Sequence, residues 1–401
     1  GYERLTDHAP GQGGPRHRLW RIRATQTVTA TGAIERPLSF SGNDVPGVML
    51  AASMRDYVVN YGVSVGDRVV VVTNNDDAYR TAIAVVEAGL SVPCIVDARP
   101  EAAGELPERA RALGIRVRTG SAIALAKGSR GVVSVTVCAQ AGEGTVEEEV
   151  VCDAVAMSGG WSPVVHLWSH CGGKLNWDED AAFFRPDHSR PPTNQNGAGN
   201  VTCVGAADGA IVATDVLGNA LTHTSNLLES IGKTASGDAP AVSAPAEQPM
   251  APVWVMPHGA GPKKRAKMWL DFQNDVKVSD VQLAAREGYE SVEHTKRYTT
   301  LGMATDQGKL SNINGLAVLA DALNEAIPRV GTTTFRPPYT PISMGSIAGE
   351  ARAEIFQPLR RTPMHEWHEE QGAYMEPVGG WRRPYTYPRG GETHEQSVIR
   401  E

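Results

Sequence analysis

"VVVVTNNDDAYRTAIAVVEAGLSVPCIVDAR" (residues 69–99) decides the fold. Four consecutive valines read as a strand buried on both faces, an alanine-rich helix follows, and a second apolar strand ends in an acid, Asp97. Strand, helix and strand in this order predict the βαβ unit of a nucleotide-binding domain. Such a domain holds pyrophosphate with glycines that let the backbone approach and with a helix N-terminus that carries partial positive charge. Here the turn is Thr73, Asn74, Asn75, Asp76 and Asp77. Two carboxylates at the helix tip are expected to satisfy its free N–H groups and to repel phosphate. The unit is therefore expected to keep the shape of a nucleotide fold while the nucleotide is held elsewhere.

Three further stretches show where. "VTATGAIERPLSFSGNDVPGVM" (residues 28–49) leads a strand into Ala30, Thr31, Gly32 and Ala33. "DAVAMSGGWSPVVHLW" (residues 153–168) repeats strand-then-glycine, and "NVTCVGAADGA" (residues 200–210) ends a strand in Gly205, Ala206, Ala207, Asp208 and Gly209 before a helical run. Each is common alone, but their order resembles the two-dinucleotide-domain flavoprotein fold of the disulfide-reductase and opine-oxidase superfamily. That resemblance implies an α/β, Rossmann-type first domain split around the second, with the terminal glycine–acid segment returning to the first domain's nucleotide. The opening GxGxxG strand of such a domain is not among these residues. Gly1 reads as mid-domain and "GGETHEQSVIRE" stops without a closing element, so the chain is expected to be an internal fragment.

Composition bounds the classes. The 401 residues are 41% hydrophobic and 21% charged, ordinary for a globular protein. A net charge of −7 and a pI near 5.9 argue against a nucleic-acid binder or a polybasic membrane anchor. No apolar run reaches the roughly 18–20 residues of a membrane span, and no signal peptide opens the sequence. Five scattered cysteines suit a reducing, cytoplasmic setting better than a disulfide framework. A redox-active cysteine pair is absent, against a disulfide reductase. No cysteine follows Cys203, so the C-terminal half lacks the four thiolates of an iron–sulfur cluster. His166, His170 and Cys171, or His365 and His368, do not supply three or four convergent ligands, and no metal site is expected.

Residues 1–232 read as the split α/β domain with an insert over about 64–150, and residues 233–252, rich in Ala, Pro and Ser, as a linker. Residues 253–340 turn helical, with Ser279, Ser291 and Ser311 as expected N-caps. In the last helix Ile313, Leu316, Leu319, Ala320, Leu323 and Ile327 recur at helical spacing and Pro328 is the expected stop. Residues 341–401 read as a connector and the start of a further domain.

A closer match then emerges from "FQNDVKVSDVQLAAREGYESVEHTKRYTTLGMATDQGKLSNINGLAVLA" (residues 272–320), "TTTFRPPYTPISMGSIAG" and "RRTPMHEWHEEQGA", along with the "ATGAIERPLSFSGNDVPGVM" and "TNNDDAYRTA" stretches. Together these resemble the alpha subunits of heterotetrameric sarcosine oxidases, along essentially the whole chain. The resemblance implies an oxidoreductase of amine catabolism. Sarcosine, a secondary amine, is oxidised at an FAD in the beta subunit, electrons pass to FMN at the alpha–beta interface, and oxygen is reduced to peroxide. It implies NAD bound by this chain, and beta, gamma and delta subunits as partners. Tetrahydrofolate would take up the methylene group in an aminomethyltransferase-like domain that begins near residue 363.

Carried onto these residues, the implied NAD contacts are Thr31, Gly32, Gly205, Ala206, Ala207, Val212 and Thr214. Asp208 stands one place beyond the family's acid position. Thr305, Gly308, Lys309 and Ser311, in a polar, Gly-broken loop, have the chemistry of a phosphate site and are the expected wall of the FMN pocket. Ala207 and Val212 also suit plain helix–sheet packing, the loop suits a capped turn, and Arg336 to Tyr339 suits a stiff connector. Two other functions stay open at the level of sequence: a non-catalytic scaffold for partner subunits, and a free-standing NADH-dependent flavin reductase.

Overall fold

The structure, a computed structural model, describes residues 1–8, 14–235, 237, 238, 240–351, 353 and 355–401. The chain divides into two units, one of Ala24–Thr340 and one of Gly1–Arg23 with Pro341–Glu401.

The larger unit is built on a five-stranded parallel sheet. Its elements run β1 (Val48–Leu50), α1 (Ala51–Tyr61), β2 (Val69–Thr73), α2 (Asp77–Glu87), β3 (Cys94–Asp97), α3 (Glu105–Ala112) and β4 (Arg116–Arg118). An antiparallel meander follows, β5 (Ser121–Gly128), β6 (Val132–Ala139) and β7 (Glu148–Val151), before β8 (Ala154–Ser158) returns to the sheet. The sheet order is β1-β8-β2-β3-β4.

The alternation of strand side chains explains why the valine run is continuous. Val69 and Val71 face the helices, packing with Met54, Tyr79, Ala82 and Leu106. Val70 and Val72 face the meander, packing with Ile123, Val135 and Val137. Both faces are dry, so both parities must be apolar. The sheet thus reaches from residue 48 to residue 158, beyond the segment the insert was expected to fill. Strands Thr27–Thr29 and Val201–Cys203 pair in parallel, so residues on either side of the insert belong together.

Residues 253–330 form a helical module whose core of Met268, Leu270, Val281, Leu301, Leu316 and Leu319 is shared with Phe184 of the split domain. Leu316, Leu319 and Ala320 are buried, and Ile313, Leu323 and Ile327 pack half-buried against them. Two buried asparagines tie the module to the split domain. Asn43 exchanges two hydrogen bonds with the Trp269 backbone, at 2.9 Å each, and Asn314 donates to the Pro37 carbonyl at 2.9 Å.

The caps differ from expectation. Ser291 accepts from the His294 N–H, but helix Val278–Arg286 is capped by Asp280 reaching back to the Lys277 N–H, and Ser279 lies inside its first turn. Helix Asn312–Leu323 ends on Asn324 in a left-handed conformation, and Pro328 opens the next short helix instead of ending this one. Asparagine tolerates positive φ better than other side chains, so the chain turns before the proline is reached.

In the smaller unit Tyr2–Arg4 pairs with His17–Leu19, and Arg360–Arg361, Trp381–Thr386 and Tyr374–Val378 form a three-stranded sheet beside helix His394–Arg400.

Candidate functional site

The polar turn after β2 is occupied by its own side chains. The Asp77 N–H donates to Asn75 Oδ1 at 3.1 Å, so an asparagine takes up the first N–H of α2, and Asp76 at the N-cap makes no side-chain cap. Asp76 turns away and accepts from Arg99 Nη2 and from the Gln248 N–H, both at 2.7 Å. Asp97, the acid at the end of β3, accepts from the same Arg99 nitrogen at 2.7 Å and from the Tyr79 hydroxyl at 2.8 Å. Asp76, Asp97 and Arg99 are all buried. Asp76 and Asp97 share the single guanidinium of Arg99, and the 247–251 segment lies against the same turn, so the polar groups of the turn are engaged from within the chain.

That segment, expected as a linker, lies along α2 as a strap. Glu247 pairs with Arg80 at 2.7 Å and the Ala251 N–H donates to the Asn74 carbonyl at 3.1 Å.

The second strand pair presents a different surface. Thr31 and Gly32 follow one strand and Gly205 follows its parallel neighbour, so these turns lie side by side. Thr31 Oγ1 donates to the Val164 carbonyl at 2.8 Å. Gly32 has φ +74° with open space where a Cβ would stand, and Gly205 has φ +62° and donates its N–H to Asn219 Oδ1 at 2.7 Å. Ala206 is half-buried, whereas Ala207 is fully buried and packs in the core. Asp208 accepts from His188 Nε2 at 2.6 Å and Asn219 Nδ2 at 2.9 Å, with His223 Nε2 at 3.2 Å. Burial pushes its carboxyl up, but those donors prevail and hold it below the usual carboxylate range.

Val212 immediately precedes α4 (Ala213–Ser230), and Thr214 is exposed in its first turn, donating to Asp215.

A cavity of about 330 Å³ joins the two halves. Asn75 at the tip of α2, Gly160 and Trp161 after β8, Phe183, Val212 and Met250 of the strap contribute to its wall. Asp180 adds negative charge, whereas Asp77 is paired with Arg55 and Arg80. Gly160 has φ +95°, and a Cβ there would stand 2.6 Å from Met250 Sδ and 2.9 Å from Arg36 Nη2. Trp161, Phe183 and Met250 were not singled out from sequence. The double glycine before Trp161 was the one available signal.

The loop expected to hold a phosphate does not converge on one point. Thr305 is exposed and bonds Gln273, while Gly308 is enclosed, with a Cβ placed 2.1 Å from Asn312 Oδ1. Lys309 Nζ donates to the Asp306 and Tyr339 carbonyls at 2.9 and 2.7 Å and lies 4.5 Å from the Tyr339 ring centroid. Burial holds it below the usual lysine range. Ser311 is buried and its hydroxyl makes no cap. Gly308 and Lys309 share only a cavity of about 30 Å³ with His166 and Phe335, too small for a phosphate. Accessible cations stand around a separate cavity of about 350 Å³, where Lys296, Arg297 and Arg336 meet Glu293, Thr334 and Gln307.

Residues 265–350 match the family model described as Sarcosine oxidase A3 domain. Sarcosine oxidase subunit alpha of Rhizobium meliloti (strain 1021) is 40% identical over 406 residues, covering 100% of this chain and 39% of that protein. The Corynebacterium sp. (strain P-1) sarcosine oxidase subunit alpha is 40% identical over 410 residues, covering 100% and 41%. This chain thus spans about two-fifths of the length of these relatives. Among solved structures, an L-proline dehydrogenase from P. horikoshii superposes with a TM-score of 0.57 at 19% identity, covering 81% of this chain and 59% of the other. That likeness is one of fold, an α/β architecture of the Rossmann type.

Proposed function

Taking as premise that the chain is kin, along its whole length, to the alpha subunits of sarcosine oxidase, we propose that it is the dinucleotide-holding part of such a subunit in a flavin-dependent secondary-amine oxidase. One observation carries the reading. Two parallel strands deliver Thr31, Gly32 and Gly205 side by side, with open space beside Gly32, while the carboxylates of the equivalent turn of the inserted domain are engaged by Arg99. A dinucleotide needs backbone approach, and Gly32 supplies it.

NAD is the cofactor proposed for this chain. The backbone at Gly205, Ala206 and Gly32 would hold it, with Val212 and Thr214 flanking. When bound, NAD supplies a ring able to accept hydride. The chain's own contribution is to bind and to exclude water: Trp161, Phe183 and Met250 wall the cavity, and Asp180 favours a cationic or neutral group there over an anion.

The remaining parts of the reading concern the assembled enzyme. FAD in a beta subunit would oxidise the amine, FMN at the interface with that subunit would pass electrons to oxygen, and tetrahydrofolate beyond these residues would take the methylene group. Beta, gamma and delta subunits are the proposed partners. Lys296, Arg297 and Arg336 are better suited than Lys309 to meet an anionic cofactor group at the module's surface. The self-engaged polar turn after β2 favours a second reading, a scaffold that only assembles partners.

Co-expression of the intact alpha subunit with its partners separates the two. Gly205→Val is expected to release NAD from the purified complex and to lower sarcosine-dependent peroxide formation. Wild-type NAD content in that variant, measured after denaturation, would falsify the cofactor assignment. Unchanged flavin absorbance and turnover on deletion of residues 297–312 would leave only the scaffold.

A further inference from the structure

We propose that His188, Asp208 and His223 form a binding site for a divalent first-row transition metal of the zinc class. The three side chains come from three elements: the loop after strand Phe183–Pro186, the short helical turn Gly205–Asp208, and the third turn of α4. One ligand atom from each lies within 4.8 Å of the other two. The two imidazoles are stacked, with centroids 5.1 Å apart and planes 15° from parallel, so both present Nε2 to the one carboxylate. His188 Nε2 stands 2.6 Å from Asp208 Oδ1 and His223 Nε2 3.2 Å from Oδ2.

Two imidazoles and a carboxylate are the donor set of a three-ligand zinc site that keeps its fourth position for solvent. Tetrahedral ligands on zinc stand about 3.3 Å apart, so the cluster reaches that geometry by side-chain movements of about 1 Å. His188 is half-exposed and gives an ion access, while the Asp208 carboxylate is buried. Asn219, one turn before His223 on the same face of α4, donates to Asp208 Oδ2 at 2.9 Å and fixes the carboxylate. A lone hydrogen-bonded His–Asp pair needs no second imidazole; here the second ring comes from a separate element and faces the other oxygen. The site does not depend on the NAD reading, and its test uses no oxidase activity.

The experiment is a titration of the metal-stripped chain with cobalt(II), followed by visible absorption, with zinc as competitor. The expected result is saturation at one equivalent, d–d bands of the intensity of a four- or five-coordinate ion, and displacement of cobalt by zinc. His223→Ala and His188→Ala should each abolish the bands, and Asn219→Ala should weaken binding by about tenfold. Retained far-UV circular dichroism and melting temperature in His188→Ala, an exposed position, separate loss of a ligand from loss of fold. Absence of a one-equivalent endpoint in the wild type overturns the proposal, as does undiminished binding in the His188→Ala/His223→Ala double variant.

Discussion

Glu35 and Arg99 show how single buried charges set conditions on this fold. Glu35 is 4% exposed; one oxygen accepts the Ala52 N–H at 2.8 Å at the start of α1, and among the described residues the other has no partner within hydrogen-bond geometry, Ser158 standing near the carboxyl. Burial raises its carboxyl to about 7, against smaller opposing effects of Ser158 and Ala52. A carboxyl raised in the folded state binds more protons folded than unfolded between its ordinary value and about 7. Its contribution to stability is therefore present at acidic pH and lost as pH rises through that window. Glu35→Gln keeps the acceptor for Ala52 and removes the ionisation. It is expected to melt higher than wild type at pH 8, by the equivalent of about 3 kcal/mol, and to differ little at pH 4.5. Equal melting differences at the two values would refute this account. Arg99 poses the reverse case. Arg99→Met leaves Asp76 and Asp97 buried without a cation and is expected to cost about 3–5 kcal/mol in urea unfolding.

At the scale of elements, helix starts and strand ends carry the testable content. Ser291 and Ser279 look alike in sequence, yet only Ser291 accepts a backbone N–H. Ser291→Ala is expected to cost about 1 kcal/mol by thermal or denaturant unfolding, and Ser279→Ala close to nothing. Gly160→Ala forces a side chain into φ +95° and against Met250 and Arg36. The expected outcome is a loss of about 1–3 kcal/mol together with lower NAD retention, because the same residue shapes the cavity wall. Stability lost without any change in NAD content would detach the cavity from the cofactor. α4 has no fully buried residue, and Leu217 is 37% exposed, although its neighbours Gly205 and Asn219 are tightly placed.

For the whole molecule, compactness divides the chain at residues 24 and 340. Residues 24–340 hold the parallel sheet, the paired strands around it and the helical module, joined through Asn43 and Asn314. A chain restricted to 24–340 is expected to unfold in one cooperative transition, monitored by circular dichroism and by tryptophan fluorescence. Two separated transitions would mean that the module and the sheet domain are independent. No helix among the described residues is long and apolar enough to cross a membrane.

The sequence by itself determined the βαβ unit at residues 69–99, the split of one domain around another, the helical module with its buried stripe, and the likeness of these motifs to sarcosine oxidase alpha subunits. Such features follow from short-range periodicity, since a strand dry on both faces has to be apolar at every position and a helix stripe has to recur every three to four residues. Only the tertiary structure decided which charges meet. That Asp76 pairs with Arg99 and the strap, that Lys309 turns inward to carbonyls while Arg336 stays accessible, and that His188 and His223 meet on Asp208 all depend on contacts between distant segments. A polar side chain's partner is set by where its neighbours are folded, because the energy of a hydrogen bond or ion pair falls away within a few ångströms.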